Sequence, residues 1–105
     1  MVFYSKQFSE DLENLLYGLI TWKKHPLNFE HAQLYVEDII NIVDTLDTKT
    51  FHRNAVYATH LRYGSKVFTY CRNKQTTWYI IYNLDLHRNV YVNKIISNYL
   101  TILGA

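Results

Sequence analysis

The spacing of the apolar residues changes at Gly64, and this change limits the folds that are open to the chain. Before Gly64, apolar side chains recur every three or four residues, as they do along one face of a helix. After Gly64 they mostly alternate with polar ones, as they do along a strand. The 105 residues are enough to form one core, so we expect a single α+β domain spanning residues 1–105.

Two apolar stripes predict two helices, one on each side of Pro26, which cannot lie inside a helix. The first stripe comprises Phe8, Leu12, Leu15, Leu16, Leu19 and Trp22, and the second comprises Leu34, Tyr35, Ile39, Ile42, Val43 and Leu46. Ser5 or Ser9 can cap the first helix and Asn28 the second, because a side-chain oxygen can accept a hydrogen bond from a free backbone amide of the first turn. The connection is short, so we expect an antiparallel helical hairpin.

Four segments have the character of strands, which gives the element order β-α-α-β-β-β. They are Val2–Tyr4, Lys66–Arg72, Thr77–Leu84 and Val90–Ile96. Thr77–Leu84 is apolar on both of its sides, which indicates a central strand covered on both faces. Between the helices and the strands, Asp47–Arg62 shows no clear period and is expected to be a long loop with room for one turn of helix.

The charges divide at nearly the same place as the periods. Residues 1–50 carry four lysines against eight carboxylates, whereas residues 51–105 carry seven lysines and arginines against Asp85 alone. A basic, tyrosine-rich sheet beside acidic helices favours an anionic partner, either nucleic acid or an acidic protein.

Several classes of protein are disfavoured by what the sequence lacks. Cys71 has no second cysteine with which to form an internal disulfide, and the five histidines do not have the spacing of a zinc site, so we expect no metal and no cofactor. There is neither a Gly-rich phosphate loop nor a serine-nucleophile motif. No apolar run approaches the roughly 18 residues of a membrane span, and no signal peptide is evident, so a cytoplasmic protein without membrane contact is expected.

One face of the first strand after Gly64 is a candidate RNA surface. Alternation places Lys66, Phe68, Tyr70 and Arg72 on the same side, with Arg62 just upstream. Cations neutralise phosphates and aromatic rings stack on bases, so this mixture suits single-stranded RNA. The alternative is that Phe68 and Tyr70 face the helices, with Lys66 and Arg72 reaching solvent at the strand ends.

Three further side chains could move a proton. His52 and His60 lie in the long loop beside Arg53 and Arg62, where a histidine could act as a general base or hold a phosphate. Solvated histidines without a role are the commoner case. Tyr99, beyond the basic strands, could donate or accept a proton, or could be a half-buried packing residue.

The element order and the residues together resemble the RelE/ParE superfamily, the toxins of bacterial toxin–antitoxin pairs. The pieces that carry the resemblance are Val2-Phe3-Tyr4-Ser5 with Phe8 and Leu12, His31-Ala32 through Ile39 and Leu46, Tyr63-Gly64-Ser65-Lys66-Val67, Thr77-Trp78-Tyr79-Ile80-Ile81-Tyr82, and Val90–Ile96. The resemblance implies a helical hairpin packed on a mainly antiparallel, curved sheet. It also implies a cognate antitoxin that wraps the toxin and masks its basic face.

RelE-type members cut messenger RNA on the ribosome without a metal ion, by attack of a 2′-hydroxyl on the neighbouring phosphate. The resemblance therefore implies that Lys66 or Arg72 contacts the scissile phosphate and that Tyr99 or His60 moves the proton. Two positions depart from the family pattern: Tyr79 stands where an arginine is usual, and Ser97-Asn98 replaces a His-Arg-like pair.

The departures leave a second function open. ParE-type members resemble this fold but poison DNA gyrase without a ribonuclease site. The chain is thus expected to be a toxin-like mRNA endoribonuclease or, alternatively, a non-catalytic ParE-like toxin or interaction module that binds a protein.

Overall fold

Two contacting helices pack on a four-stranded mixed sheet in the computed structural model, which describes residues 1–21, 28–71 and 76–97. In chain order the elements are β1 (Val2–Tyr4), α1 (Lys6–Thr21), α2 (Phe29–Val43), α3 (Ala58–Leu61), β2 (Lys66–Cys71), β3 (Thr77–Leu84) and β4 (Val90–Ser97), with a 3₁₀ turn at Leu46–Thr48. None of the described helices is long and apolar enough to cross a membrane. The predicted α+β class is confirmed.

The strands lie in the order β1-β4-β3-β2. β1 runs parallel to β4, whereas the β2–β3 and β3–β4 pairs are antiparallel. β3 has the predicted bounds Thr77–Leu84. Its adjacent residues Ile80 and Ile81 point to opposite faces of the sheet, and both are fully buried. The prediction of a central strand covered on both faces is therefore confirmed.

Both helices begin where a capping residue was expected. The Ser5 Oγ accepts a hydrogen bond from the Phe8 amide (3.0 Å), so Ser5 rather than Ser9 caps α1. The Asn28 Oδ1 accepts one from the His31 amide (2.8 Å) at the start of α2. The helices and one face of the sheet share the main core, whose buried members are Phe8, Tyr35, Ile39, Val43, Leu46, Trp78, Ile80, Tyr82, Val90, Val92 and Ile95.

A β-bulge interrupts β4 beside its neighbour β3. Val92 pairs with Tyr82 and Lys94 pairs with Ile81, so Asn93 is an extra residue in β4. The extra residue shifts the alternation by one position, so that Val92 before the bulge and Ile95 after it both belong to the main core. Lys94 lies opposite Ile81, with its ammonium over the Tyr63 ring on the other face of the sheet.

Beyond the bulge, the edge of β4 contacts α1 instead of β1. β1 pairs with only three residues of β4, and the Asp11 carboxylate of α1 accepts a hydrogen bond from the Ile95 amide (3.3 Å). The same carboxylate lies 2.9 Å from the Lys94 Nζ, in an ion pair whose side chains are 9% and 21% exposed respectively. Asp11 thus supplies the acceptor that a longer β1 would have supplied.

The second face of the sheet is covered by the segment that precedes β2. Ala55 packs on Val67 and Ile81 to form a small second core, with Tyr63 and Tyr79 partly buried around it. Within this segment Asn54 forms a β-bridge with Lys66, which extends the sheet by one residue pair beyond β2. The predicted loop Asp47–Arg62 therefore contains α3 and the last two residues of the 3₁₀ turn, and its residue Ala55 packs against the sheet.

Candidate functional site

The structure describes five of the seven residues that the sequence predicted for an RNA site, and it places them in four different surroundings. The five are His60, Arg62, Lys66, Phe68 and Tyr70. Arg72 and Tyr99 lie outside the described residues.

The two aromatic side chains of β2 face the helices. Phe68 and Tyr70 are partly buried and pack against the main core, opposite Ile80 and Trp78 of β3. The Lys49 ammonium lies over the Phe68 ring, 5.0 Å from its centroid. The two rings therefore face the helices, as in the alternative interpretation of this strand. Packing against the core hides part of each ring. A role for the two rings in RNA binding stays a prediction.

Lys66 lies at the outer edge of the sheet. Its Nζ donates a hydrogen bond to the Asn54 Oδ1 (2.6 Å), across the bridge that joins the two residues. The neutral amide holds the ammonium in place without cancelling its charge. Lys66 therefore remains able to neutralise an anion at this edge.

His60 is buried, so the interpretation as a solvated loop histidine is wrong, whereas a catalytic role stays a prediction. Its side chain is 4% exposed and packs between the rings of Tyr57 and Tyr79, with centroids 5.4 and 4.9 Å away. Its Nδ1 has no hydrogen-bond partner within the described residues. Burial disfavours the charged imidazolium and lowers the pKa of His60 below its ordinary value of 6.5.

A small cavity beside His60 limits what this histidine can bind. The cavity is about 20 Å³ in volume and is lined by Arg53, Asn54, Val56, Tyr57, His60, Val67, Thr69 and Tyr79. A space of this size admits about one water molecule and is far too small for a nucleotide. Asn54, which lines the cavity, also accepts the hydrogen bond from the Lys66 Nζ.

Arg62 borders a larger and more open groove. The groove is about 310 Å³ in volume and is lined by Leu61, Arg62, Tyr63, Gly64, Ser65 and Asn83. Among these residues Arg62 is the one that carries a charge. The Asn83 Oδ1 accepts hydrogen bonds from the backbone amide and the hydroxyl of Ser65 (3.0 and 3.2 Å), which fixes one wall of the groove.

His52, the second histidine of the loop, has a structural role. Its Nε2 lies 3.1 Å from the Lys49 carbonyl oxygen and therefore carries the proton, so its Nδ1 accepts a hydrogen bond from the Tyr82 hydroxyl (2.7 Å). Burial raises the pKa of Tyr82 to about 12, which keeps the phenol protonated as the donor. Both nitrogens of His52 are thus engaged.

Stability should depend on pH through His60. Its pKa is lower in the folded protein than in the unfolded chain, so the unfolded chain binds more protons below pH 6.5. We expect the free energy of unfolding to fall as the pH drops from about 7 to about 5, and to fall less steeply in His60→Phe. Urea unfolding at a series of pH values measures both slopes. Equal pH dependence in the two proteins would show that protonation of the His60 imidazole does not destabilise the fold.

The alternation of residues could not reveal the surroundings of His60. Tyr57 and Tyr79, which flank its ring, are far apart in the sequence and belong to different types of element. The absence of any aspartate or glutamate between Asp47 and Asp85 was the one available indication that this region remains cationic.

No protein-family model, no curated protein and no solved structure matches the chain.

Proposed function

We propose that the chain is a toxin-like component of a bacterial toxin–antitoxin module, with a RelE/ParE-like domain. The observation that carries the proposal is the order of the main elements, β-α-α-β-β-β with the one-turn helix α3 added before β2, together with two helices on one face of a mixed sheet. The sequence resemblance implies the order of the main elements and this packing. Two of the three strand pairings are antiparallel, which agrees with the mainly antiparallel sheet of that family.

Within this proposal, the protein-binding mode is supported better than mRNA cleavage. His60 is buried beside a cavity for one water, and Phe68 and Tyr70 pack towards the helices. Tyr79, at a position where the family usually has arginine, packs in the second core and offers no positive charge to a phosphorane. These features support a ParE-like toxin or interaction module with a degenerate ribonuclease site.

Ribosome-dependent mRNA cleavage is the second candidate, and Lys66 favours it. Among the described residues the Lys66 ammonium has a neutral amide as its hydrogen-bond partner at the sheet edge, so it could hold a scissile phosphate together with Arg72. In that mode Tyr99 would move the proton.

Induced expression in a bacterial host tests the proposal and separates the two modes. We expect growth arrest that persists in Lys66→Ala, because a protein-binding toxin needs no phosphate ligand. Incorporation of labelled thymidine should fall before incorporation of labelled methionine if gyrase is the target, and the reverse order would indicate mRNA cleavage. Lys6→Ala, which removes a fully solvated cation of α1, is the control.

Two results would contradict the proposal. Well-folded wild-type protein that causes no arrest would exclude a toxin and leave a non-toxic interaction module. Arrest that co-expression of the product of the adjacent open reading frame fails to relieve would exclude a conventional antitoxin partner.

A further inference from the structure

The segment before β2 exposes a run of apolar side chains on its outer surface. Phe51, Val56, Tyr57 and Leu61 are 79%, 69%, 63% and 53% exposed. These four large apolar residues fall within eleven positions of one segment, and exposed apolar area of this kind can mark a binding site. We refer to residues 51–62 as the strap.

The inner side of the strap is fixed to the sheet. Ala55 is buried in the second core and His60 is buried against Tyr79, so the exposed residues project from a supported backbone. The Leu61 amide donates to the Tyr57 carbonyl oxygen (2.9 Å), so these two residues lie one helical turn apart on the same side of α3. A surface that is already ordered loses little conformational entropy when it binds.

The strap also carries positive charge that no described residue balances in an ion pair. Arg53 and Arg62 are exposed, and neither forms an ion pair with any residue in 1–21, 28–71 or 76–97. No aspartate or glutamate occurs in residues 48–84. The complementary carboxylates would therefore come from another molecule.

We propose that the strap is the docking surface for a partner protein segment that carries carboxylates interspersed with apolar side chains. The aliphatic Val56 and Leu61 favour a protein over RNA, because bases stack on rings and gain little from exposed aliphatic groups. Tyrosine and arginine are both among the side chains enriched at protein interfaces. This surface deepens the protein-binding mode proposed above and rests on it.

A phage-displayed library of random linear peptides, selected on the wild-type protein, is the probe. We expect the enriched peptides to be rich in aspartate and glutamate together with aromatic or aliphatic residues. Fluorescence anisotropy with a labelled selected peptide then measures the dissociation constant for each variant. Arg53→Glu and Arg62→Glu should each weaken binding at least about fivefold, and Tyr57→Ala combined with Leu61→Ala should do the same.

Matched controls place the same changes elsewhere on the molecule. Lys6→Glu reverses an exposed charge on α1, and Phe29→Ala removes an exposed ring from α2. Both should bind the peptide as the wild type does. Unfolding curves for every variant separate a lost contact from a lost fold.

Four outcomes would overturn the inference, and the first three concern the peptides and the controls. The library could yield no enriched peptide, the enriched peptides could lack an excess of acidic residues, or the controls could weaken binding as much as the strap variants do. Displacement of the peptide by polyuridylate at equal charge concentration would also reassign the surface to RNA. Because these measurements need no toxicity, a failure here is distinguishable from a failure of the growth assay.

Discussion

Gly64→Ala is expected to destabilise the protein by about 3 kcal/mol. A Cβ atom at this position would lie 2.7 Å from the Tyr82 carbonyl oxygen and 3.0 Å from the Tyr82 carbonyl carbon. Both atoms belong to the backbone of β3, which is paired on both sides and cannot move without disturbing β2 and β4. Urea unfolding followed by tryptophan fluorescence measures the loss.

Gly18→Ala is the matched control for that substitution. Gly18 lies within α1, where an added Cβ meets no atom within 4 Å. Alanine has the higher helix propensity, so this variant should be more stable than the wild type by ~0.5–1 kcal/mol. If the two variants change the free energy of unfolding in the same direction, the steric conflict expected between a Cβ atom at position 64 and β3 does not exist.

Asp11→Ala is expected to cost about 3 kcal/mol, because one carboxylate serves three groups. It pairs with Lys94, accepts the Ile95 amide and accepts a hydrogen bond from the Gln7 side chain (2.9 Å). Its loss would leave a largely buried ammonium without a partner and a strand amide without an acceptor. Thermal and urea unfolding at neutral pH measure the change.

Asp11→Asn separates the two contributions. The amide oxygen can still accept the Ile95 amide but no longer carries a charge, so the stability of this variant should fall between those of the wild type and Asp11→Ala. Glu10→Ala is the control, because Glu10 pairs only loosely with the solvated Lys6 (3.9 Å) and its loss should change stability little. An Asp11→Ala protein as stable as Glu10→Ala would mean that α1 does not support the edge of β4.

The sequence predicts well those elements whose local pattern and tertiary surroundings agree. Thr77–Leu84 is apolar on both sides because it is the third of four strands and is covered on both faces, so its bounds and its central position could be inferred from residues alone. The caps at Ser5 and Asn28 could be inferred for the same reason, since capping depends on neighbours only three residues away.

The candidate site was harder to predict because it depends on which face of β2 the helices cover. Alternation places Phe68 and Tyr70 on the side of β2 that Lys66 shares, but it does not say which side is buried. The burial of His60 follows from contact with Tyr79, which lies nineteen positions away on another element. The bridge between Asn54 and Lys66 joins a loop to a strand, and no local period reveals such a pair.

The parallel pairing of β1 with β4 has a consequence for the order of folding. Val2 pairs with Val90, and the Ser5 hydroxyl donates to the Asn93 carbonyl oxygen across 88 positions of the chain. Such contacts form slowly, because the entropy of closing a long loop is lost before any contact is gained. During synthesis β1 therefore has no strand to pair with until β4 has left the ribosome. We accordingly expect the edge of the sheet that α1 and β1 complete to be the last part of the domain to assemble.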